Sequence, residues 1–175
     1  MFRINLASRI RITFDPRKMG KASEKKIRYY EKYAFFVSET LKEPLFQTFL
    51  HRILRKENIK IDNIRDIQIK TFPFIKENGN RLFGKCNNKG VICLYPKRIS
   101  LRQERALTWR ENKIKNYVKC RARAALVHEV LHLKYLNKEV KVRELTRKYF
   151  NSFIMLKSPD MNNQTIINQL FPQPA

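Results

Sequence analysis

An α+β fold with a small, mainly antiparallel sheet is the class this sequence predicts, and three observations carry the prediction. Segments with apolar residues at helical spacing open and close the chain. A hairpin-like segment with an Asn-Asn-Lys-Gly turn lies between them. A strand-like alternation, DIQIKTF, precedes that hairpin. With 175 residues and 43% hydrophobic content, the chain can bury a core of its own.

Taken in order, Arg9, Ile10, Arg11, Ile12 and Thr13 alternate as a short strand, and Asp15-Pro16 and Gly20 then break the chain. Ser23 is a helix cap, and Ile27, Tyr30, Ala34, Val37 and Leu41 keep helical spacing behind it. Pro44 opens a second helix over about residues 45–55. The alternation of residues 66–72 stops at Pro73, which cannot donate to a ladder. Residues 82–86 and 91–95 form the arms of the hairpin. From Leu101 the pattern is helical to about Leu136, with a break expected near residues 109–116 and Asn137 as the C-cap. A last helix covers about residues 138–156, and Ser158-Pro159 ends it. The expected organisation is a basic N-terminal strand and helical extension (1–60), a domain at 61–156, and a C-terminal tail (157–175) without charge from Met161 onward.

Charge sets the class of partner. The chain has 38 Lys and Arg against 15 Asp and Glu, a formal +23. A small domain needs only about 2–8 charges for solubility, so the excess points to polyanions. Ten cations (Lys97, Arg98, Arg102, Arg105, Arg110, Lys113, Lys115, Lys119, Arg121 and Arg123) face only Glu104 and Glu111 within residues 97–123. With Trp109 interleaved, they are the expected contacts to an RNA or DNA backbone. Residues 17–28 form a second basic cluster. No RNP signature, CxxC finger or GXXG loop accompanies them, so recognition would rest on charge and shape. Cys86, Cys93 and Cys120 form no even-numbered framework, and no secretory h-region or apolar run of membrane-spanning length is present; the expected location is cytoplasmic.

The sharpest signal is ALVHEVLHLKY. Two of the chain's three histidines, His128 and His132, stand four residues apart in an otherwise apolar stretch, with Glu129 beside the first. On a helix that spacing puts both imidazoles on one face, able to converge on a tetrahedral zinc ion. Glu129 can reach a water on the metal rather than the metal, and so act as general base and then acid in peptide hydrolysis. Chance supplies an HExxH in a chain of this composition only roughly a few times in a thousand. A catalytic zinc needs a third protein ligand. No His or Cys follows His132, and His51 lies far upstream on another predicted helix; if the ligand comes from the following helix, as chain order suggests, it is Glu139 or Glu144. A sharp reversal at Asn137 sets residue 144 level with residue 130, midway between the histidines, which favours Glu144.

LVHEVLHLKYLNKEVKVRELTRKYF and the preceding GKCNNKGVICLYP resemble the compact zincin metallopeptidases, particularly the archaeal minigluzincins and related short HExxH domains. The likeness covers about residues 80–155. It implies a zincin-like fold in which His128 and His132 bind Zn2+, Glu129 is the general base, and a glutamate of the following helix completes the ligands, a role Glu144 could fill. One branch of these families instead places a third histidine after the turn in an Asn-His pair; this chain has Asn137-Lys138 there. The likeness also implies that the hairpin strand Val91, Ile92, Cys93, Leu94 and Tyr95 holds an extended peptide by strand addition. The expected activity is thus a zinc metallopeptidase acting on protein or peptide substrates, with a surface suited to acidic or nucleic-acid-bound partners. The alternative is a non-catalytic RNA-binding component of a ribonucleoprotein, such as the ribosome, built on the same fold.

Overall fold

The computed structural model describes residues 5–75, 81–97 and 112–157. The class is α+β, with five helices and a mixed four-stranded sheet among the described residues. Strand β1 (Ile10–Thr13) follows a 3-10 turn and leads to a one-turn helix α1 (Pro16–Met19), then to α2 (Glu24–Lys42) and α3 (Pro44–Lys56). Ser23 caps α2 by accepting from the Lys26 amide at 3.4 Å. Strand β2 (Asp66–Lys70) follows, then the short pair β3 (Phe74–Ile75) and β4 (Arg81–Leu82), and the hairpin β5 (Gly84–Cys86) and β6 (Val91–Leu94). The chain ends its described part with α4 (Asn112–Tyr135) and α5 (Glu139–Lys157).

The sheet order is β1-β2-β6-β5. Pairs β1/β2 and β2/β6 are parallel and only β5/β6 is antiparallel, so the expected mainly antiparallel sheet is corrected to a mixed one. The reason is connectivity: three helices intervene between β1 and β2, and a crossover of that length is what parallel pairing requires. The hairpin was legible because its turn is local. Asn87 accepts from the Lys89 and Val91 amides, and Gly90 adopts φ +75, where a Cβ would stand 1.9 Å from the Asn63 carbonyl oxygen.

Alternation buries Ile67, Ile69, Ile92 and Leu94 on one face of the sheet. Helix α2 packs on β1 and β2, α4 packs on β5 and β6, and α5 lies against α4. One cluster joins Leu6, Val37, Phe46 and Leu50 to Leu126, Val130 and Phe150. Residues before 60 are therefore part of the same core, with β1 in the same sheet, rather than an extension to it. Helix α4 is continuous over its described length, so residues 112–116 hold no break; the rest of the break expected near 109–116 lies outside the described residues. It ends one residue earlier than expected: Leu136, not Asn137, takes the left-handed conformation, φ 49. No described helix is long and apolar enough to cross a membrane.

Candidate metal centre

Helix α4 is the centre of the fold, covered by the sheet, α2 and α5, and its residues 120–127 are all buried. This is why the His-Glu-His trio sits in an apolar run. His128 and His132 turn towards α5, and their Nε2 atoms lie 3.1 Å apart. The carboxylate of Glu139, the first residue of α5, closes the group, with one oxygen 3.5 Å from His128 Nε2 and the other 3.2 Å from His132 Nε2. Among the described residues these three form the group of His, Cys, Asp and Glu able to hold a metal ion.

The ring nitrogens on the far side decide what the near side can do. His132 Nδ1 lies 2.5 Å from the carbonyl oxygen of Leu136, which can only accept, so Nδ1 carries the proton. His128 Nδ1 lies 3.4 Å from Thr146 Oγ1, whose own proton goes to the Val142 carbonyl at 2.7 Å. Both imidazoles are thereby set as Nδ1–H tautomers with Nε2 lone pairs facing inward. Two lone pairs and a carboxylate then converge, an arrangement that a metal cation between them, or a proton on His132 Nε2 donated to Glu139, would relieve. Burial is the main force pushing His128 down to about 4, with Glu139 opposing it, so a proton does not fill that role on His128 at neutral pH. For Glu139, burial works to raise the carboxyl, but the Arg143 hydrogen bond at 2.8 Å and the nearby histidines outweigh it and hold it low.

The donor set fits zinc. Tetrahedral coordination at about 2.0–2.1 Å to each ligand gives ligand–ligand edges of about 3.3 Å. The three contacts, 3.1, 3.2 and 3.5 Å, bracket that value.

Glu144 does not join them: its side chain is exposed. The level estimated for it holds, since the Thr146–His128 contact pairs positions in the same antiparallel register. The face does not. Glu139, Val142 and Thr146 share one stripe of α5, with Val142 and Thr146 fully buried, while residue 144 is turned away by more than a third of a turn. The carboxylate that meets the two imidazoles is that of Glu139, and the favoured Glu144 is not brought to them.

Glu129, one residue beyond His128, is not a member of this group; it is buried against the hairpin. A Cβ at Gly84 would meet its Cγ at 2.6 Å and an oxygen at 2.8 Å, so glycine is the residue that lets β5 approach. Burial and then the Glu129 charge raise the Cys86 thiol to about 11; burial, Cys93 and Glu129 raise Tyr95 to about 12. Strand β6, expected to hold a peptide through Val91, Ile92, Cys93 and Leu94, is paired on both sides, by β2 and β5. It has no free edge, and that expectation is corrected; among the described residues β5 is the strand at this side of the sheet.

The expected nucleic-acid contacts divide. Arg121 and Arg123 are each 4% exposed and engaged inside the protein. Arg121 Nη1 donates to Tyr33 Oη at 3.2 Å and to the Tyr95 carbonyl at 2.9 Å. Arg123 Nη2 pairs with Glu43 at 2.5 Å, and its guanidinium lies against the rings of Phe46 and Phe153. Neither is placed to meet a phosphate, because α4 is surrounded here. Lys97, Lys115 and Lys119 are half-buried, with Lys119 3.3 Å from Glu43. Arg98, Arg102, Arg105, Trp109 and Arg110 lie outside the described residues, as does the side chain of Lys113.

Sequence reasoning missed Thr146 and Glu57. The former could have been found seven residues from Glu139, on the same helical face. Glu57, at the end of α3, is buried and accepts from Lys134 Nζ at 3.0 Å, from Tyr135 Oη at 2.7 Å and from Tyr149 Oη. It ties the C-terminal end of α4 to the middle of α5, and nothing local in the sequence announces it. Comparison of the chain with protein-family profiles, curated proteins and solved structures returns no match.

Proposed function

We propose that this chain is a zinc-dependent metallopeptidase with a zincin-like arrangement. The observation that carries the reading is the convergence of two Nε2 lone pairs and the Glu139 carboxylate, with both Nδ1 atoms satisfied from behind. His128, His132 and Glu139 would hold the ion, three protein ligands being the number that catalytic zinc sites use. Bound there, zinc would polarise a substrate carbonyl and acidify a water molecule. Glu129 would act as the general base, taking a proton from the attacking water and passing it to the leaving amine. Its burial against Gly84 puts it beside β5, along which an extended peptide can be held by strand addition. The antiparallel β5 next to the HExxH helix supports the zincin-like reading.

Metal content of the purified chain, with hydrolysis of a mixed peptide pool, tests it. One zinc per chain and cleavage abolished by Glu129→Gln are the expected results. Absence of zinc, or cleavage undiminished in Glu129→Gln, would refute the reading. The charge of +23 favours a second reading, a non-catalytic RNA-binding component of a ribonucleoprotein. Bound zinc without cleavage by either protein would select it.

A further inference from the structure

The parallel strands β1, β2 and β6 end on the same side of the sheet, and that edge is lined by aromatic rings. Thr13 pairs with Lys70 and Ile69 with Leu94, so Phe14, Phe74 and Tyr95 all leave the sheet at its C-terminal edge. The Thr71 amide, donating to the Thr13 carbonyl at 3.3 Å, extends the pairing to that edge. Contacts tie Phe74, Tyr95 and Phe83 into a ledge, with Phe14 following β1 at the same edge of the sheet. Phe74 lies 5.4 Å from Tyr95, centroid to centroid. The Tyr95 amide donates to the Phe83 carbonyl at 3.0 Å, and the Arg121 guanidinium stands 4.5 Å from the Phe83 ring.

Despite these supports, Phe14, Phe74 and Phe83 remain 55%, 41% and 44% exposed. Grouped apolar exposure of this kind marks a surface that binds something. The adjoining groups are cationic. Lys18 Nζ lies 5.9 Å from the Phe74 centroid and donates to the Pro73 carbonyl at 3.3 Å, and Arg17 and Lys21 are exposed next to it. Residues 14–21 carry these three cations against the single acid Asp15.

We propose that this ledge binds single-stranded nucleic acid, with unpaired bases stacking on Phe14, Phe74 and Phe83 and backbone phosphates meeting Arg17, Lys18 and Lys21. Rings beside cations suit a polyanion that also offers flat apolar faces. A duplex keeps its bases stacked on one another and could use only the cations. An acidic peptide answers the charge but has no regular series of planar groups for the rings. The buried Arg121 does not touch the strand; it braces Phe83. The ledge also adjoins Glu129, since Phe83 precedes the Gly84 that packs on it. Arg121 and Glu129 are two turns apart on α4, about 12 Å. The proposal does not depend on the metal, so its assay is run with a chelator.

Fluorescence anisotropy of the full chain with a labelled oligouridylate of about a dozen nucleotides, and with a duplex of equal length, gives the test. The single strand is expected to bind more tightly than the duplex. Phe74→Leu and Phe83→Leu, which keep apolar bulk but lose the ring, are each expected to weaken it about tenfold without changing the salt dependence. Lys18→Gln is expected to reduce the slope of log affinity against log salt by about 0.7. Thermal melting reports whether each variant folds, and Phe14→Leu, at the most exposed ring, supplies the same readout if either of the others does not. Equal affinity for the duplex, or leucine variants that bind as the parent does, would overturn the proposal in favour of charge alone. Displacement of the oligonucleotide by polyglutamate at equal charge would overturn it in favour of an acidic-peptide surface.

Discussion

Replacing Glu139 by glutamine removes the one charged member of the candidate metal centre while keeping its length and an amide oxygen for Arg143. In the structure Glu139 is one of three candidate ligands whose mutual contacts lie at 3.1–3.5 Å. Four-ligand structural zinc sites bind with roughly 10–16 kcal/mol, about 2.5–4 kcal/mol per ligand, so Glu139→Gln is expected to weaken zinc about 10²–10³-fold. Glu144→Gln, at the exposed carboxylate on another face of α5, is expected to leave affinity unchanged. Competition against a chromophoric chelator measures the affinities directly. Thermal unfolding gives an independent reading. At free zinc about 100 times the dissociation constant, the parent gains about 2.7 kcal/mol, or roughly 5–10 °C for a chain of this size. At the same free zinc the glutamine variant, about 100-fold weaker, gains only about 0.4 kcal/mol, roughly 1–2 °C. Loss of the zinc shift in Glu144→Gln with retention in Glu139→Gln would refute the ligand assignment. No shift in the parent would refute the metal centre itself.

Gly84→Ala drives a methyl into Glu129 and is expected to cut peptide hydrolysis at least tenfold with zinc content unchanged, measured by metal analysis beside a peptide assay. Without metal, stability is expected to fall with pH in two windows in a melting series. His128, lowered from 6.5 to about 4, is neutral in the fold while the unfolded chain takes up a proton, so its contribution is lost from about pH 6.5 down to about 4, and His128→Gln removes that window. Glu57 is lowered from 4.5 to about 2; burial opposes the shift, and the hydrogen bonds from Tyr149, Tyr135 and Lys134 outweigh it. Its stabilisation is present above about pH 4.5 and lost towards pH 2. The shift corresponds to about 3 kcal/mol, which screening near the exposed Lys134 reduces to about 1–2 kcal/mol, and Glu57→Gln removes it. Arg123→Met leaves Glu43 without its buried partner and removes a stacked cation, so it is expected to change the melting temperature and leave the salt dependence of nucleic-acid binding as it was.

What the sequence disclosed about the fold was its local part. Caps, turn residues and apolar periodicity act within a few positions, so Ser23, Pro44, the Asn87–Gly90 turn and the two C-terminal helices could be placed before any coordinates. Strand order is a long-range property. Ile10 and Ile67 are partners across 57 positions, and nothing in either strand states that they run parallel. Charge misled for a related reason. Arg121 and Arg123 read as cations in a basic run, yet their neighbours Glu43, Tyr33 and Phe153 come from α2, α3 and α5 or the junctions between them, and those decide that each guanidinium is enclosed.

The candidate site divides along the same line. His128 and His132 needed only the pitch of one helix, and they meet as that pitch dictates. The third ligand needed the geometry of a turn between two helices. Counting residues from Asn137 fixes the level at which α5 passes His128, but the rotation of α5 about its own axis depends on where α4 stops. It stops at Leu136, whose left-handed φ of 49 turns its carbonyl back to His132 Nδ1 and starts α5 at Glu139. A β-carbon in that conformation costs about 1–2 kcal/mol, which an ordinary turn would avoid with glycine. Here the same turn fixes the tautomer of one histidine and delivers the carboxylate that faces both. The strained residue and the convergent ligands are therefore one feature of the chain, and the sequence shows its parts without showing that they meet.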